Sequence, residues 1–215
     1  MIELYDYWRS SAAYRVRIAL NLKGLEYRSR PVNLAQGEQR GPDYRARNPE
    51  GLVPCLVDGA AVITQSLAIC EYLETRAPLP ALLPDDPVAL AQVRAACLAV
   101  ACDIHPLNNL RVLNYLRDTL VIDEDRRGEW YRHWIVQGFA GLEHQLAKVD
   151  APFCFGATPG LADCFLVPQL YNARRFDCPL VDYPRLLAVE ARCLALPAFA
   201  AAAPERQPGA PIASG

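Results

Sequence analysis

The residues best suited to chemistry lie near the start of the chain, in the run Tyr7-Trp8-Arg9-Ser10-Ser11. A period-two apolar pattern over residues 2–6 predicts a strand, and a helical pattern follows over about 12–23. A helix N-terminus carries partial positive charge and free N–H groups, so it favours a bound anion such as a thiolate. A serine hydroxyl there can donate one more hydrogen bond. Taken alone, Ser10 or Ser11 is better explained as a helix cap.

Other catalytic patterns do not appear in the sequence. It contains no nucleophile elbow, P-loop or dinucleotide fingerprint, and none of its three histidines can be placed beside a serine. The eight cysteines include no C-x-x-C pair. Cys97, Cys102 and His105 resemble a metal cluster but lack a second ligand pair, so buried thiols are expected here and no metal.

Composition limits the classes of partner. The 215 residues carry 22 basic and 24 acidic side chains, a net charge of −2, which argues against a generally basic nucleic-acid binder. The longest unbroken apolar run, Ala95–Cys102, is too short to span a bilayer. No signal peptide is visible at Met1, so we expect a cytoplasmic protein with neither nucleic-acid nor membrane partners.

The pattern of elements divides the chain into two halves. A second strand is predicted over 26–33, and two apolar runs, 53–57 and 60–64, flank Asp58-Gly59 as in a hairpin. Ser66 then occupies the expected N-cap position of a helix, which completes a β-α-β-β-α order. Four prolines between residues 77 and 88 indicate a linker. Beyond it only helical periodicity remains, over about 88–117, 125–148, 161–176 and 184–196.

The run Trp8-Arg9-Ser10-Ser11-Ala12-Ala13-Tyr14-Arg15-Val16-Arg17-Ile18-Ala19-Leu20 resembles the signature of zeta-class glutathione transferases. The resemblance covers nearly the whole chain. It continues in Asn48-Pro49, Val53-Pro54, Gln65-Ser66-Leu67-Ala68-Ile69, the run from Cys102 to Arg111 and the run from Leu161 to Gln169.

The resemblance implies a two-part fold and a cofactor. It predicts a thioredoxin-like, glutathione-binding N-terminal domain (residues 1–80) followed by an all-helical domain (88–203), that is, the glutathione transferase fold. The mixture of Ala, Pro, Gly and Ser near the C-terminal end indicates a flexible tail (204–215). The family also implies glutathione as cofactor, a small dicarboxylate as substrate and a homodimer.

Site residues are carried over from the family by position. Ser10 is similar to the serine that holds the glutathione thiolate, with Ser11 and Arg9 beside it. Val53 precedes Pro54, which is similar to a cis-proline that exposes a backbone edge to glutathione. The γ-glutamyl group would be received by Gln65 and Ser66. Other positions that line the ligand in related enzymes are Gln39, Asp103, His105, Asn109 and Arg111.

The sequence departs from the family at two positions. Many members have cysteine where this chain has Ala12, so any sulfur nucleophile would come from glutathione. Gly160 stands where the family often has Ser or Thr as the cap of the helix that contains Asp163, and glycine is an acceptable cap.

The family suggests a cis–trans isomerase that converts a maleyl dioxo dicarboxylic acid to its fumaryl isomer, as in the maleylacetoacetate step of aromatic amino-acid catabolism. We expect Arg9, Arg111 and Arg175 to bind the carboxylates, although Arg174 and Arg175 are equally well explained as a solvated patch. The alternatives are maleylpyruvate isomerisation, glutathione transfer to halo-acids, and a non-catalytic interaction module.

Overall fold

A computed structural model describes residues 1–211 of the chain. By its internal contacts the chain separates into two compact units. The first unit contains Met1–Leu82 together with residues 194–211, and the second contains Leu83–Cys193. Each unit is described by itself below.

The first unit is built on a four-stranded sheet with the strand order β2-β1-β3-β4. The strands are β1 (Ile2–Asp6), β2 (Tyr27–Pro31), β3 (Cys55–Asp58) and β4 (Ala61–Thr64). β1 runs parallel to β2, whereas β3 is antiparallel to both β1 and β4. Alternate residues of β1 are buried, as the period-two pattern predicts. The predicted β-α-β-β-α order and the hairpin are confirmed.

The helices of this unit are α1 (Ser11–Leu22), α2 (Pro42–Arg45), α3 (Ser66–Arg76) and α9 (Pro197–Ala202). α1 joins β1 to the parallel strand β2. It ends at Leu22 with Lys23 as its C-cap, and Gly24 follows with a φ of +63°, the left-handed conformation expected there. α3 begins one residue earlier than predicted. Gln65 occupies the N-cap position, and Ser66 is the first helical residue.

The second unit is helical, as predicted, and contains α4 (Pro87–Leu98), α5 (Leu110–Asp118), α6 (Glu124–Leu146), α7 (Leu161–Arg175) and α8 (Pro184–Leu194). The single helix predicted over 88–117 is wrong. A π-helical turn covers Ala99–Ile104, a 3-10 turn covers Pro106–Asn108, and Asn109 caps α5. Pro106 has no N–H to continue the helical pattern, so the chain restarts a new helix after it.

The C-terminal part also differs from the expected domain boundaries. Residues 194–211 group with the first unit, rather than with a helical domain that runs to residue 203. Asn21 on α1 donates a 2.9 Å hydrogen bond to the Ala198 carbonyl in α9. Within the expected tail 204–215, a 3-10 turn covers Pro204–Arg206, and residues 212–215 lie outside the described part.

By length and composition alone, one described helical segment, Pro87–Asp118, is apolar enough to cross a membrane, with a mean hydropathy of 1.5 in its most apolar window. Core helices of soluble proteins pass the same test. Because the regular helical pattern changes at Ala99 and stops at Pro106, the segment consists of two shorter helices in succession.

Candidate functional site

The loop between β1 and α1 holds Ser10 at the start of the helix. Its N–H donates to the Tyr7 carbonyl over 2.9 Å, and its Oγ accepts from the Ala13 N–H over 3.2 Å. Ser10 therefore is the N-cap of α1. Capping uses the oxygen as an acceptor and leaves the hydroxyl proton to be donated elsewhere. Ser10 is half-buried, whereas Ser11 is buried.

A buried arginine fixes the shape of this loop. The Arg17 guanidinium donates to Asp6 Oδ2, to the Trp8 carbonyl and to the Ala202 carbonyl, each over 3.0 Å. Arg17 is fully buried. Charge-assisted hydrogen bonds are stronger than neutral ones, so the end of β1, the loop and the end of α9 are held together. The sequence patterns did not predict this role.

Arg9 lies beside Ser10 and is exposed. Its guanidinium carbon is 5.2 Å from the centre of the Trp8 ring, within the range of a cation–π contact. Arg9 thus places a positive charge next to the serine loop, as predicted from its position in the sequence.

The loop before β3 ends in the predicted cis peptide bond between Val53 and Pro54. The preceding carbonyl, that of Leu52, accepts hydrogen bonds from the Tyr44 hydroxyl (2.5 Å) and the Asn48 amide (2.7 Å). Burial raises the pKa of Tyr44, so its hydroxyl remains a donor. Pairing of β3 with β1 starts only at the next residue after Pro54, so the Val53 backbone lies just outside the ladder.

The start of α3 brings together Gln65 and Ser66. Gln65 has φ +69°, an uncommon conformation for a residue other than glycine, and its amide donates to Glu50 Oε2 over 3.0 Å. Ser66 is buried and its Oγ accepts from Arg15 Nη1 over 3.1 Å. The Ser66 hydroxyl proton is therefore directed away from Arg15. Its position at a helix N-terminus suits a bound carboxylate.

Gln39 lies in the 3-10 turn Glu38–Arg40 and is 7% exposed. Within residues 1–211, its buried Oε1 has no hydrogen-bond partner. Since a buried acceptor without a partner costs free energy, this oxygen is available to an N–H donor of a ligand.

The other predicted site residues belong to the second unit. Asp103 lies in the π-helical turn, and His105 follows it. Asn109 caps α5 by accepting from the Arg111 N–H over 3.1 Å, so the structure brings these two residues together. Arg175 is exposed at the end of α7.

Arg174, next to Arg175, is used differently. Both of its terminal nitrogens bind the two carboxylate oxygens of Glu190, which is buried. Such a bidentate pair fixes the end of α7 against α8 and leaves Arg175 as the arginine better suited to a ligand.

Most of the buried thiols are poorly suited to nucleophilic chemistry, whereas Cys102 is exposed. Burial raises the pKa of Cys70 to about 12 and that of Cys178 to about 11, and it also raises the pKa of Cys154 and Cys193. A thiol with a raised pKa forms little thiolate near neutral pH.

Family models match both units. The glutathione S-transferase N-terminal domain matches residues 9–76, and the glutathione S-transferase C-terminal domain matches residues 129–192. A probable maleylacetoacetate isomerase of Vibrio cholerae is 51% identical over 209 residues, which are 96% of this chain and 97% of the relative.

Two solved structures are similar over almost the full length. A holo maleylpyruvate isomerase, described as a bacterial glutathione S-transferase of the zeta class, has a TM-score of 0.95 and 47% identity, covering 97% of this chain and all of its own. A maleylacetoacetate isomerase from Anaeromyxobacter dehalogenans, with dicarboxyethyl glutathione and citrate in its active site, has a TM-score of 0.88 and 45% identity over 99% of this chain and 98% of its own.

These similarities agree with the architecture and with the motifs at Ser10, Val53-Pro54 and Gln65-Ser66. The fold is the thioredoxin-like plus helical fold that the sequence predicts, and glutathione is the cofactor of the family. The chain belongs to the glutathione S-transferase family, in the zeta class.

Proposed function

We propose that this chain is a glutathione-dependent cis–trans isomerase that converts a maleyl dioxo dicarboxylic acid to its fumaryl isomer, with maleylacetoacetate as the first candidate substrate. The observation that carries the proposal is the state of Ser10. Its oxygen accepts from Ala13 while its proton is left to donate at the N-terminus of α1. The neighbouring Ala12 offers no thiol of its own.

The residues that would hold glutathione fit the groups it carries. The Ser10 hydroxyl suits the sulfur, the Val53 backbone suits the cysteinyl peptide, and Gln65 with Ser66 suits the γ-glutamyl carboxylate. The unfilled acceptor of Gln39 suits an N–H of the tripeptide. When bound, glutathione supplies a thiol whose ionised form adds reversibly to an activated double bond and so permits rotation.

The chain's own contribution at this point is electrostatic. A hydrogen bond from Ser10 and the positive end of α1 both favour the thiolate over the thiol, which lowers the thiol pKa. The Arg17 contacts hold the loop in advance, so the donor is oriented before the substrate arrives. Ser11, buried behind the cap, is assigned a supporting role.

Arginines are proposed to bind the two carboxylates of the substrate. Guanidinium groups bind carboxylates in a bidentate fork. Arg9, Arg111 and Arg175 are all exposed, and each lies at a helix end or in a loop. Because the protein has a net charge of −2, cations concentrated at the site are needed to attract a dianion. Asp103, His105 and Asn109 are proposed to line the same ligand region.

Maleylpyruvate is the second candidate substrate, because a solved relative of 47% identity is named for it. The dicarboxyethyl glutathione bound by the Anaeromyxobacter dehalogenans relative supports a site for glutathione and two carboxylates without distinguishing the two acids.

A homodimer in the cytoplasm is also proposed. An apolar stripe follows one face of α4, and its members Val88, Ala91, Ala95 and Leu98 are exposed in the single chain. An a/d-like spacing of this kind is typical of a helix that packs against a partner. Leu98→Glu should dissociate the dimer in analytical ultracentrifugation, and an unchanged sedimentation coefficient would argue for another interface.

The decisive experiment compares maleylacetoacetate and maleylpyruvate as substrates of desalted enzyme, with and without added glutathione. We expect isomerisation only with glutathione, because Ala12 supplies no substitute. Activity that persists in the desalted enzyme would overturn the mechanism. Transfer to halo-acids without isomerisation would replace the proposed reaction, and binding to glutathione without either activity would indicate an interaction module.

A further inference from the structure

Two neighbouring residues on α6 support the turn that precedes Arg111. The Trp130 indole N–H donates to the Leu107 carbonyl over 2.8 Å. The Asn108 amide donates to the Tyr131 carbonyl over 3.1 Å. Since Asn109 follows directly and caps α5, the helix end that carries Arg111 is fixed to α6 at this point.

The same Tyr131 also contacts the end of α7. Its ring stacks on that of Phe176, with centroids 3.4 Å apart and planes inclined by 11°. Phe176 is the residue after Arg175, whose guanidinium carbon lies 5.4 Å from the Phe176 centroid. Arg175 also donates to Asn172 Oδ1 over 3.4 Å. The ring of Phe176 thus contacts both Tyr131 and Arg175.

An exposed arginine at a helix end has many rotamers, and binding a carboxylate in one of them costs conformational entropy. A flat aromatic surface restricts the guanidinium plane through the cation–π contact and stacking. This surface is itself held, because Tyr131 is buried and its carbonyl is bound to Asn108. The restriction on Arg175 therefore comes from α6 and not from α7 alone.

We infer that the Tyr131–Phe176 stack is a positioning element that orients Arg175 for one carboxylate of the substrate. Tyr131 belongs to the same α6 segment that fixes the helix bearing Arg111. The inference rests on the proposed function, because it assigns Arg175 to the dicarboxylate. Tyr131 and Phe176 act through the arginine and are not catalytic residues.

A double-mutant cycle tests this coupling. Arg175→Met keeps the stem and removes the fork, and it should raise the dicarboxylate KM at least about tenfold. Phe176→Leu should raise the same KM about two- to fivefold, with little change in the glutathione KM. In the Arg175→Met background, Phe176→Leu should have no further effect, because the group it orients is gone. Phe176→Tyr should retain the wild-type KM.

Phe139→Leu is the matched control, because Phe139 is buried in the same unit and pairs with another tyrosine, Tyr183. It should lower Tm and leave the dicarboxylate KM unchanged. The inference is overturned if Phe176→Leu behaves like Phe139→Leu, if its effect adds fully to that of Arg175→Met, or if Arg175→Met leaves KM unchanged.

Calorimetry with fumarate in the presence of glutathione separates this inference from the proposed reaction. Suppose that the intact enzyme isomerises neither maleyl acid, but that Phe176→Leu and Arg175→Met each weaken fumarate binding and their effects are not additive. The positioning role then stands and the proposed reaction is wrong. If isomerisation occurs and the Phe176→Leu variant binds fumarate like the intact enzyme, the positioning role is wrong and the reaction stands.

Discussion

Arg15 on α1 donates a 3.1 Å hydrogen bond to the Oγ of Ser66, 51 residues away in the chain and the first residue of α3. Both residues are buried. The contact joins the helix that begins after Ser10 to the helix that begins at Ser66. It orients the Ser66 hydroxyl and places a guanidinium near the positive end of α3, where an anionic ligand group is favoured.

Ser66→Ala should therefore weaken glutathione binding. Loss of one hydrogen bond to a carboxylate, about 1.5 kcal/mol, corresponds to a rise of about tenfold in the glutathione KM. The dicarboxylate KM should change little, and Ser66→Thr should restore the hydroxyl and much of the affinity. Thr75→Ala is a matched control on the same helix, because its hydroxyl donates to the Glu71 carbonyl one turn earlier. Equal glutathione KM values in the Ser66→Ala and Thr75→Ala variants would exclude Ser66 from the site.

Ser10 combines a cap with a proposed donor, and Ser10→Asp separates the two roles. A carboxylate still accepts from the Ala13 N–H, so Tm should be retained. It cannot donate and it repels a thiolate, so kcat should fall at least about a hundredfold. The ultraviolet absorbance of bound glutathione thiolate, followed against pH, should show a raised thiol pKa. Ser11→Ala should have a much smaller effect.

Asp86→Ala is the control for capping alone, because Asp86 accepts from Val88 and Ala89 at the start of α4. It should lower the free energy of unfolding by about 1 kcal/mol and leave kcat unchanged. Full activity of the Ser10→Asp variant would show that Ser10 acts as a helix cap and not as a hydrogen-bond donor to the thiolate.

Local patterns predicted the β-α-β-β-α order of elements along the chain, the hairpin and the placement of Ser10, because these depend on residues near one another in sequence. The buried arginines were not predicted. Helical periodicity assigns Arg15 and Arg17 no buried partner, since Ser66 and Ala202 are far along the chain. The signal available was two basic residues among Val16, Ile18, Ala19 and Leu20, an apolar run in which exposed positions are few.

The same limit explains the C-terminal part and the break after α4. The expected boundaries placed residues up to 203 in the helical domain, but α9 packs on α1 through long-range contacts that leave no local signal in the sequence. Pro106 was a local signal for a helix break, since proline lacks the N–H of a helix interior. The helical periodicity on both sides of it nevertheless led to the prediction of a single helix.

Lys23 is a further residue whose role sequence could not give. Its ammonium is buried at the C-terminal end of α1. It donates to the carbonyls of Ala77 and Pro80 over 2.7 and 2.9 Å and pairs with Glu74 over 2.5 Å. These partners hold the end of α3 and the proline-rich segment after it.

Lys23→Met should lower the free energy of unfolding by about 2–3 kcal/mol, because the half-buried Glu74 carboxylate and two carbonyls lose their cation. Urea denaturation measures the change. Lys148, the other lysine of the chain, is exposed, so Lys148→Met should change stability by less than about 0.5 kcal/mol. Similar losses of unfolding free energy in both variants would mean that the contacts of the buried Lys23 ammonium do not stabilise the fold.

Val121 follows α5 with φ +55°, a conformation that is strongly disfavoured for a β-branched residue. The Ile122 N–H donates to the Leu116 carbonyl over 2.9 Å, and this bond closes the turn around the strained residue. The Val121 side chain is 82% exposed, so it gains little from burial. Asparagine tolerates the left-handed region, and Val121→Asn should therefore raise the free energy of unfolding by about 1 kcal/mol.

Val181 is the matched control for that substitution. It is 81% exposed and does not have a positive φ. Val181→Asn removes the same side chain without relieving strain, so stability should change by less than about 0.5 kcal/mol. Thermal and urea unfolding of the two variants measure the difference directly. If Val121→Asn is no more stable than Val181→Asn, the turn does not hold Val121 in a strained conformation in solution.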